Sequence, residues 1–212
     1  MPLHTPTVRL SFPNIAKPRA GKTGAAPKYS ASLILDMANL RTTEKQRLGA
    51  LGQACRDKLR EKFGDKAFKD DGVTPKAAYN WPFRDAGEKD DLEGYKEGDK
   101  FFNCTSHRRP GMAKAVNEGG RVQVQDTLDP EIFYPGCYVQ ALINPFTFEA
   151  EGNKGVALGL EHIVFIRDGE RLDGTTGSAA EAYGEVNIDA SELGFDEANN
   201  DGGDESGAAS LV

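Results

Sequence analysis

Two β-rich runs between Phe133 and Leu172 constrain the fold of this chain more than any other feature. The first begins at Tyr138 and reads Tyr-Val-Gln-Ala-Leu-Ile-Asn-Pro-Phe-Thr-Phe; the second begins at Val156 and reads Val-Ala-Leu-Gly-Leu-Glu-His-Ile-Val-Phe-Ile. A short Gly/Asn loop separates them, which is the pattern of a β-hairpin. Alternation along a strand gives each run one apolar face, formed by Val139, Ala141 and Ile143 in the first and by Val156, Leu158 and Leu160 in the second.

The opposite face of the second run carries almost no side chains, because it consists of Gly155, Ala157 and Gly159. Such a face lets another segment of backbone come close. One interpretation is a corner at which the chain crosses the strand, and the other is a surface for a ligand backbone. The pattern fits both equally.

Further segments with strand character are residues 7–12, 29–36, 100–106 and 121–125. The first two flank residues 13–28, which hold three prolines, two glycines, four bases and no acid. This composition predicts a flexible basic loop, either simply solvated or in contact with phosphate. Residues 64–99 are rich in loop-forming residues and include an acidic run from Glu88 to Asp99.

A single helix is predicted over residues 43–63. Its apolar stripe recurs at helical spacing and consists of Leu48, Leu51, Cys55 and Leu59. Thr43 and Gln46 are a candidate capping box, and Gly64 is a candidate stop. The chain as a whole is therefore predicted to be mainly β with one inserted helix.

Charge divides the chain into two parts. Residues 173–212 contain ten acids and no Lys or Arg, which leaves 23 acids against 26 bases, a net charge of +3, in residues 1–172. A basic body joined to an acidic tail suggests a polyanionic partner for the body or an interaction role for the tail. The composition of the tail is typical of disorder.

Several classes of protein do not fit the sequence. No apolar run is long enough to span a bilayer, so no membrane partner is expected. The three cysteines are isolated, which argues against a disulfide framework or a zinc cluster and for a reducing compartment. No phosphate-binding loop, Rossmann pattern or nucleophile elbow is present, and no cofactor is expected.

A Mg²⁺-dependent nuclease is a rival interpretation, with Asp85, Glu88, Asp90, Asp91 and Glu93 as the metal ligands. A solvated acidic loop explains these carboxylates more simply.

Aromatic residues interleaved with Lys and Arg on a small barrel favour binding of single-stranded nucleic acid. Aromatic rings stack on nucleobases, and a basic groove follows the phosphates without reading sequence. The candidate stacking residues are Trp81, Phe83, Tyr95, Phe102, Tyr138 and Phe146, and Tyr29 is a further candidate for nucleic-acid binding. The candidate phosphate ligands are Lys17, Lys28, Arg84, Arg108, Arg109 and Lys114. Of Phe101 and Phe102 we expect one inside and one outside, because neighbours on a strand face opposite ways.

The sequence also resembles a known family, the OB-fold single-stranded-DNA-binding proteins of tailed phages. The resemblance covers most of residues 7–172 and rests on several short elements in order. They are Ile15-Ala16-Lys17-Pro18, Lys28-Tyr29-Ser30, Pro82-Phe83-Arg84-Asp85, Phe101 to Ser106 with Pro110-Gly111, Tyr134-Pro135-Gly136-Cys137-Tyr138, Gly152 to Leu160, and Arg167-Asp168-Gly169-Glu170.

The resemblance implies a five-stranded OB barrel over residues 1–172, followed by an acidic tail over residues 173–212. It implies cooperative or dimeric binding of single-stranded DNA (ssDNA) during phage replication and recombination, in the cytoplasm of the bacterial host. It also implies that the tail competes with DNA and recruits replication proteins such as a polymerase or helicase. The rival non-enzymatic interpretation is a protein-interaction module built on the same barrel.

Overall fold

The computed structural model describes residues 2–20, 26–150 and 152–172. This part of the chain is mainly β, with one α-helix and two single-turn 3-10 segments. The elements in chain order are β1 (Leu3–His4), β2 (Val8–Arg19), β3 (Lys28–Leu35), α1 (Thr42–Phe63), β4 (Arg84–Asp85), β5 (Lys100–Ser106), β6 (Gly111–Glu118), β7 (Arg121–Asp126), β8 (Tyr138–Ala150) and β9 (Asn153–Arg167). No helix among these residues combines the length and the apolar character that a membrane crossing needs.

Five strands pair in a cycle. β2 is antiparallel to β3, and β3 is antiparallel to β5. β5 runs parallel to β9, β9 is antiparallel to β8, and β8 is antiparallel to β2. The pairing therefore returns to the strand at which it began. Beyond this cycle, β1 pairs with β8, the short β4 pairs with β5, and β6 and β7 extend the sheet from β9.

The hairpin predicted from the sequence is present as β8 and β9, which pair from Tyr138 opposite Arg167 to Ala150 opposite Asn153. Both predicted apolar faces are buried, with Val139, Ala141, Ile143, Val156, Leu158 and Leu160 all in the main core. The predicted strand at residues 100–106 is also confirmed as β5, and the strand at 121–125 as β7.

The helix covers one side of this core and packs mainly against β8. Leu51, Cys55 and Leu59 are buried as their spacing predicts. Its beginning differs from the prediction: the N-cap is Arg41, and the capping box joins Arg41 to Glu44 instead of Thr43 to Gln46. Glu44 is buried there because its carboxylate accepts from the backbone N–H groups of Thr7 and Arg41. The helix ends at Gly64, as expected, with a positive φ of 68°.

A second, smaller core lies on the outer side of the sheet and corrects one expectation. Phe101 and Phe102 do face opposite ways, but both are fully buried. Phe102 faces the main core, whereas Phe101 packs with Ile34, Ala86 and Tyr95 under the segment 84–99. This segment covers part of the outer face of β3 and β5 and so buries Phe101, whereas the main core buries Phe102.

The basic loop predicted for residues 13–28 is shorter than expected. β2 continues to Arg19, and β3 already begins at Lys28. A strand can pass Pro13 and Pro18 because register shifts interrupt its pairing with β3 on either side of Asn14. The remaining part of this loop, residues 21–25, lies outside the described residues.

Candidate nucleic-acid interface

The uncovered half of the outer sheet surface is a band of small and polar side chains. It runs across β2, β3, β5 and β9 and is called the polar track here; its residues are Asn14, Ser30, Ser32, Asn103, Thr105 and Gly159. These residues share the outer face because their strand neighbours, such as Cys104 and Leu158, point into the core. Register places Ser30 opposite Thr105 and Thr105 beside Gly159, which joins the strands into one band. A shallow cavity of about 340 Å³ lies over its β2–β5 part.

Phe12 stands at one end of the polar track. Its side chain is 46% exposed. The residue lies in a β-bulge between Ser11 and Asn14 and has a positive φ of 47°. Non-glycine residues in this region cost about 1–3 kcal/mol. The amide of Asn14 holds the distorted backbone, because its Nδ2 donates to the Phe12 carbonyl and to Ser30 Oγ, both at 3.2 Å.

Phe146 stands at the other end, on β8, and is 42% exposed. Its ring lies over the bare face of β9, since a Cβ atom added to Gly159 would be 3.8 Å from the ring. At Gly155 the same face admits a crossing segment of chain instead: an added Cβ would lie 2.2 Å from the carbonyl oxygen of Asn80. The glycine face predicted from the sequence therefore accommodates a chain crossing at Gly155 and leaves a partly accessible surface at Gly159.

Cations that are distant in sequence meet at one end of β2, β3 and β5. Arg19 pairs in register with Lys28, and the next residue, Tyr29, pairs with Ser106. Arg108 and Arg109 follow directly in the turn after β5, and all four basic side chains are exposed. Tyr29 is half-buried beside them, and Lys17 is exposed two residues before Arg19. Four of the predicted residues, Lys17, Lys28, Arg108 and Arg109, are thus brought to this basic end.

Lys89 approaches the track from the segment 84–99. Its Nζ lies 5.6 Å from the ring centroid of Phe12, 4.9 Å from that of Tyr95 and 4.4 Å from that of Phe101. These distances are within the range of cation–π attraction. The ion pairs of this segment use Arg84 and Lys100, and none within the described part of the chain uses Lys89.

Two predicted stacking residues are corrected by the structure. Phe102 is fully buried in the main core, and Tyr95 is buried in the outer core with its ring edge against Phe101. Neither ring has a face open to a base, because the segment 84–99 and the core cover them. Trp81 and Phe83 are half-buried and form a chain of rings that leads inward, with centroids 5.9 Å apart and Phe83 5.4 Å from Phe102.

Three more predicted residues lie away from the polar track or have other partners. The Arg84 guanidinium pairs with Glu88 and lies 5.1 Å from the Phe101 ring. Tyr138 pairs in register with Arg9 of β2, and the Arg167 guanidinium covers its ring at 3.4 Å. Lys114 is exposed on β6, beside Phe165 of β9. The structure therefore does not bring these three side chains to the track.

The cysteines and two of the candidate Mg²⁺ ligands in the described region are buried or paired with cations. Burial raises the pKa of Cys55, Cys104 and Cys137 to about 12, so these thiols stay protonated at neutral pH. Of the candidate Mg²⁺ ligands, Asp85 binds Lys100 and Glu88 binds Arg84. No group of three metal-binding side chains occurs among the residues that the structure describes.

Sequence reasoning missed Phe12, Lys89 and the residues of the polar track such as Asn103. The run Phe12-Pro13-Asn14 contained a usable signal, because a proline inside a β-rich run indicates an edge or a bulge. Lys89 and Asn103 carried no such signal, since only the packing of residues 84–99 on the sheet decides which part of it stays open.

Comparison with known proteins assigns a family to this fold. A family model described as the ssDNA-binding protein of Enterobacter phage Enc34 matches residues 1–193. The chain belongs to this family. The family is one of ssDNA-binding proteins, a non-enzymatic class, in agreement with the expectation that the chain is not an enzyme.

Individual relatives are distant. A curated relative, the putative protein p50 of Acyrthosiphon pisum secondary endosymbiont phage 1, is 24% identical over 184 residues, which are 85% of this chain and 91% of that protein. Among solved structures, the ssDNA-binding protein of bacteriophage Enc34 in complex with ssDNA has a TM-score of 0.61 at 20% identity, over 79% of this chain and 87% of that one. A C-terminal truncation of the same protein has a TM-score of 0.56 at 20% identity, over 79% and 86%. These structures share the fold of this chain.

Proposed function

We propose that this family member binds ssDNA without sequence preference, along the polar track. The observation that carries the proposal is the arrangement of the open sheet surface: two exposed phenylalanine rings, Phe12 and Phe146, flank a band of small polar side chains with a basic end. The family and the Enc34 complex support ssDNA as the ligand.

The arrangement suits a single strand for a physical reason. Unpaired bases expose π-faces, and each base that stacks on an aromatic ring gains about 1–3 kcal/mol. Small residues such as Ser30, Thr105 and Gly159 let bases approach the sheet closely. The basic end at Arg19, Lys28, Arg108 and Arg109 provides charges for phosphates, so binding weakens as salt rises. A duplex offers no free base faces.

The wider organisation of the protein forms part of the same proposal. The five cyclically paired strands form an OB barrel, residues 1–172 are the ssDNA-binding domain, and residues 173–212 are a separate acidic tail. The tail carboxylates compete with phosphates for the basic end and recruit replication proteins such as a polymerase or helicase. The protein acts in the host cell, in its cytoplasm, during phage replication and recombination, either alone or as a homodimer.

The experiment that tests the function is a titration of the protein with labelled oligo-dT at low salt, followed by fluorescence anisotropy. We expect binding to oligo-dT, loss of binding with increasing salt, and no binding to a duplex of equal length. The emission of Trp81, the only tryptophan, reports separately on whether DNA reaches the half-buried ring. If the full chain and a chain ending at Leu172 both fail to bind, ssDNA binding is refuted and the protein-interaction module becomes the better interpretation.

The tail is tested by the same titration on a chain that ends at Leu172. Removal of the tail takes away ten acids and leaves a body of net charge +3. This should tighten binding, most strongly at low salt, where electrostatic competition is least screened. A matched control keeps the length of the tail and replaces its acids by Asn and Gln. Unchanged or weaker binding by both variants would refute competition by the tail.

A further inference from the structure

Phe12 has a strained backbone conformation that places its aromatic ring at the surface. Phe12 is the one non-glycine residue with a positive φ in the described region, and it remains 46% exposed. The bulge turns the side chain out of the core-facing pattern of β2, and Asn14 and Ser30 fix the backbone in that state. Bulges and strained residues of this kind concentrate at functional sites because they aim a side chain. The exposed ring gives the fold no core packing in return.

Lys89 is a cation with an uncommon set of neighbours. Its ammonium group lies over the rings of Phe12, Tyr95 and Phe101, and two carboxylates of the segment 84–99 pair with other cations: Glu88 binds Arg84, and Asp85 binds Lys100. Weak contacts with rings hold this charge, so a phosphate oxygen can displace them at little cost. A lysine has the length and freedom to make that movement.

We propose that Phe12 and Lys89 together form a single-nucleotide subsite, in which a base stacks on the Phe12 ring and the adjoining phosphate draws the Lys89 ammonium away from the rings. This assignment rests on the proposed ssDNA binding and gives it one defined contact. The ligand is any nucleotide of a single strand, since the ring and the ammonium read neither base edges nor sequence. Ser32 and Asn103 line the floor of the subsite, with Ser32 Oγ donating to Asn103 Oδ1 at 2.5 Å.

The experiment separates the two contacts by the quantity that each one controls. Affinities for oligo-dT and for an abasic oligomer of equal length are measured over a series of salt concentrations. The ring is tested with Phe12→Ala, Phe12→Leu and Phe12→Tyr, and the charge with Lys89→Gln and Lys89→Arg. Controls are Leu128→Ala, an exposed apolar residue beyond β7, and Lys45→Gln, an exposed base on α1. Thermal melts verify that every variant folds.

Loss of the ring removes a stacking contact but no charge. Phe12→Ala and Phe12→Leu should therefore weaken oligo-dT binding by about 5- to 150-fold, the factor that corresponds to one stacked base, and leave the salt dependence unchanged. Phe12→Tyr should bind like the unchanged protein. On the abasic oligomer all four proteins should bind alike, because no base is present to stack.

Loss of the charge should have the complementary effect. Lys89→Gln should reduce the slope of log K against log salt by about 0.7, the value for one phosphate contact on a single strand, whereas Lys89→Arg should keep the slope. The subsite is refuted if the unchanged protein binds oligo-dT and Phe12→Leu binds equally well, or if Lys89→Gln changes the slope no more than Lys45→Gln. Failure of the unchanged protein to bind oligo-dT would instead refute the proposed function itself.

Discussion

Replacing Gly155 by alanine should strongly destabilise the fold, because this position combines an unusual backbone angle with a close chain crossing. Gly155 has a φ of 151°, and an added Cβ would lie 2.2 Å from the oxygen and 2.5 Å from the nitrogen of Asn80. Both atoms are backbone, so no side-chain rotation relieves the clash. The Asn80 segment must move away or the strand must distort.

The cost follows from the contacts that such a movement would break. Asn80 donates its backbone N–H to Lys154 O at 2.8 Å and accepts from Val156 N at 3.0 Å. Losing these two hydrogen bonds costs about 1–3 kcal/mol in total, and an L-residue in a glycine-type conformation costs a further 1–3 kcal/mol or so. We therefore expect Gly155→Ala to reduce the free energy of unfolding by about 2–6 kcal/mol.

Urea unfolding measures this quantity, and Trp81 emission reports the local displacement, since Trp81 directly follows Asn80. The matched control is Gly152→Ala: its φ of 79° is also positive, but an added Cβ meets no atom within 4 Å. This control should lose only about 1–2 kcal/mol, the cost of a left-handed L-residue. If Gly155→Ala loses no more than Gly152→Ala, the close approach of Asn80 to β9 carries no energy and the reasoning is wrong.

Three further predictions concern stability and reactivity. Phe12→Gly should raise the free energy of unfolding or leave it unchanged, because glycine relieves the strain at φ 47°. The same variant should lose affinity for oligo-dT. A large loss of stability would show that the ring supports the fold. The Arg41 side chain and two backbone N–H groups lower the pKa of Glu44 from 4.5 to about 2. The contribution of the Glu44 carboxylate to stability is therefore complete above pH 4.5 and disappears as the pH falls towards 2. The free energy of unfolding, measured as a function of pH, should show this loss in the unchanged protein but not in Glu44→Gln. Burial raises the pKa of Cys55 and Cys104 to about 12. The rate at which these thiols are alkylated in the native protein at pH 8 should therefore equal the rate of unfolding. Rapid labelling without denaturant would contradict their burial.

Local patterns predicted those parts of the fold that depend on residues close in sequence. Alternation in β8 and β9 identified the hairpin and its buried faces, and the spacing of Leu51, Cys55 and Leu59 identified the buried stripe of the helix. The same reasoning was incomplete for Phe101 and Phe102. Alternation correctly places them on opposite faces of β5, but it carries no information about the segment 84–99, which covers the outer face and buries Phe101.

The candidate site depended still more on long-range structure. Its basic end exists because register brings Arg19 opposite Lys28 and Tyr29 opposite Ser106, and no local pattern contains that register. The aromatic residues were selected by composition, which does not separate an exposed ring such as Phe146 from a buried one such as Phe102. Phe12 was missed because its exposure results from a bulge, and a bulge changes which face a residue occupies.

The acidic segment 84–99 lies beside the proposed DNA-binding surface, where a run of carboxylates should repel phosphates. Its arrangement on the sheet resolves much of this conflict. Two of its carboxylates are neutralised within the protein, Glu88 by Arg84 and Asp85 by Lys100, and the cation Lys89 lines the cavity over the track. The exposed acids Asp90, Asp91 and Glu93 follow Lys89. Under the proposed ssDNA binding, a strand that reaches Phe12 therefore meets the attractive charge of Lys89 beside the ring.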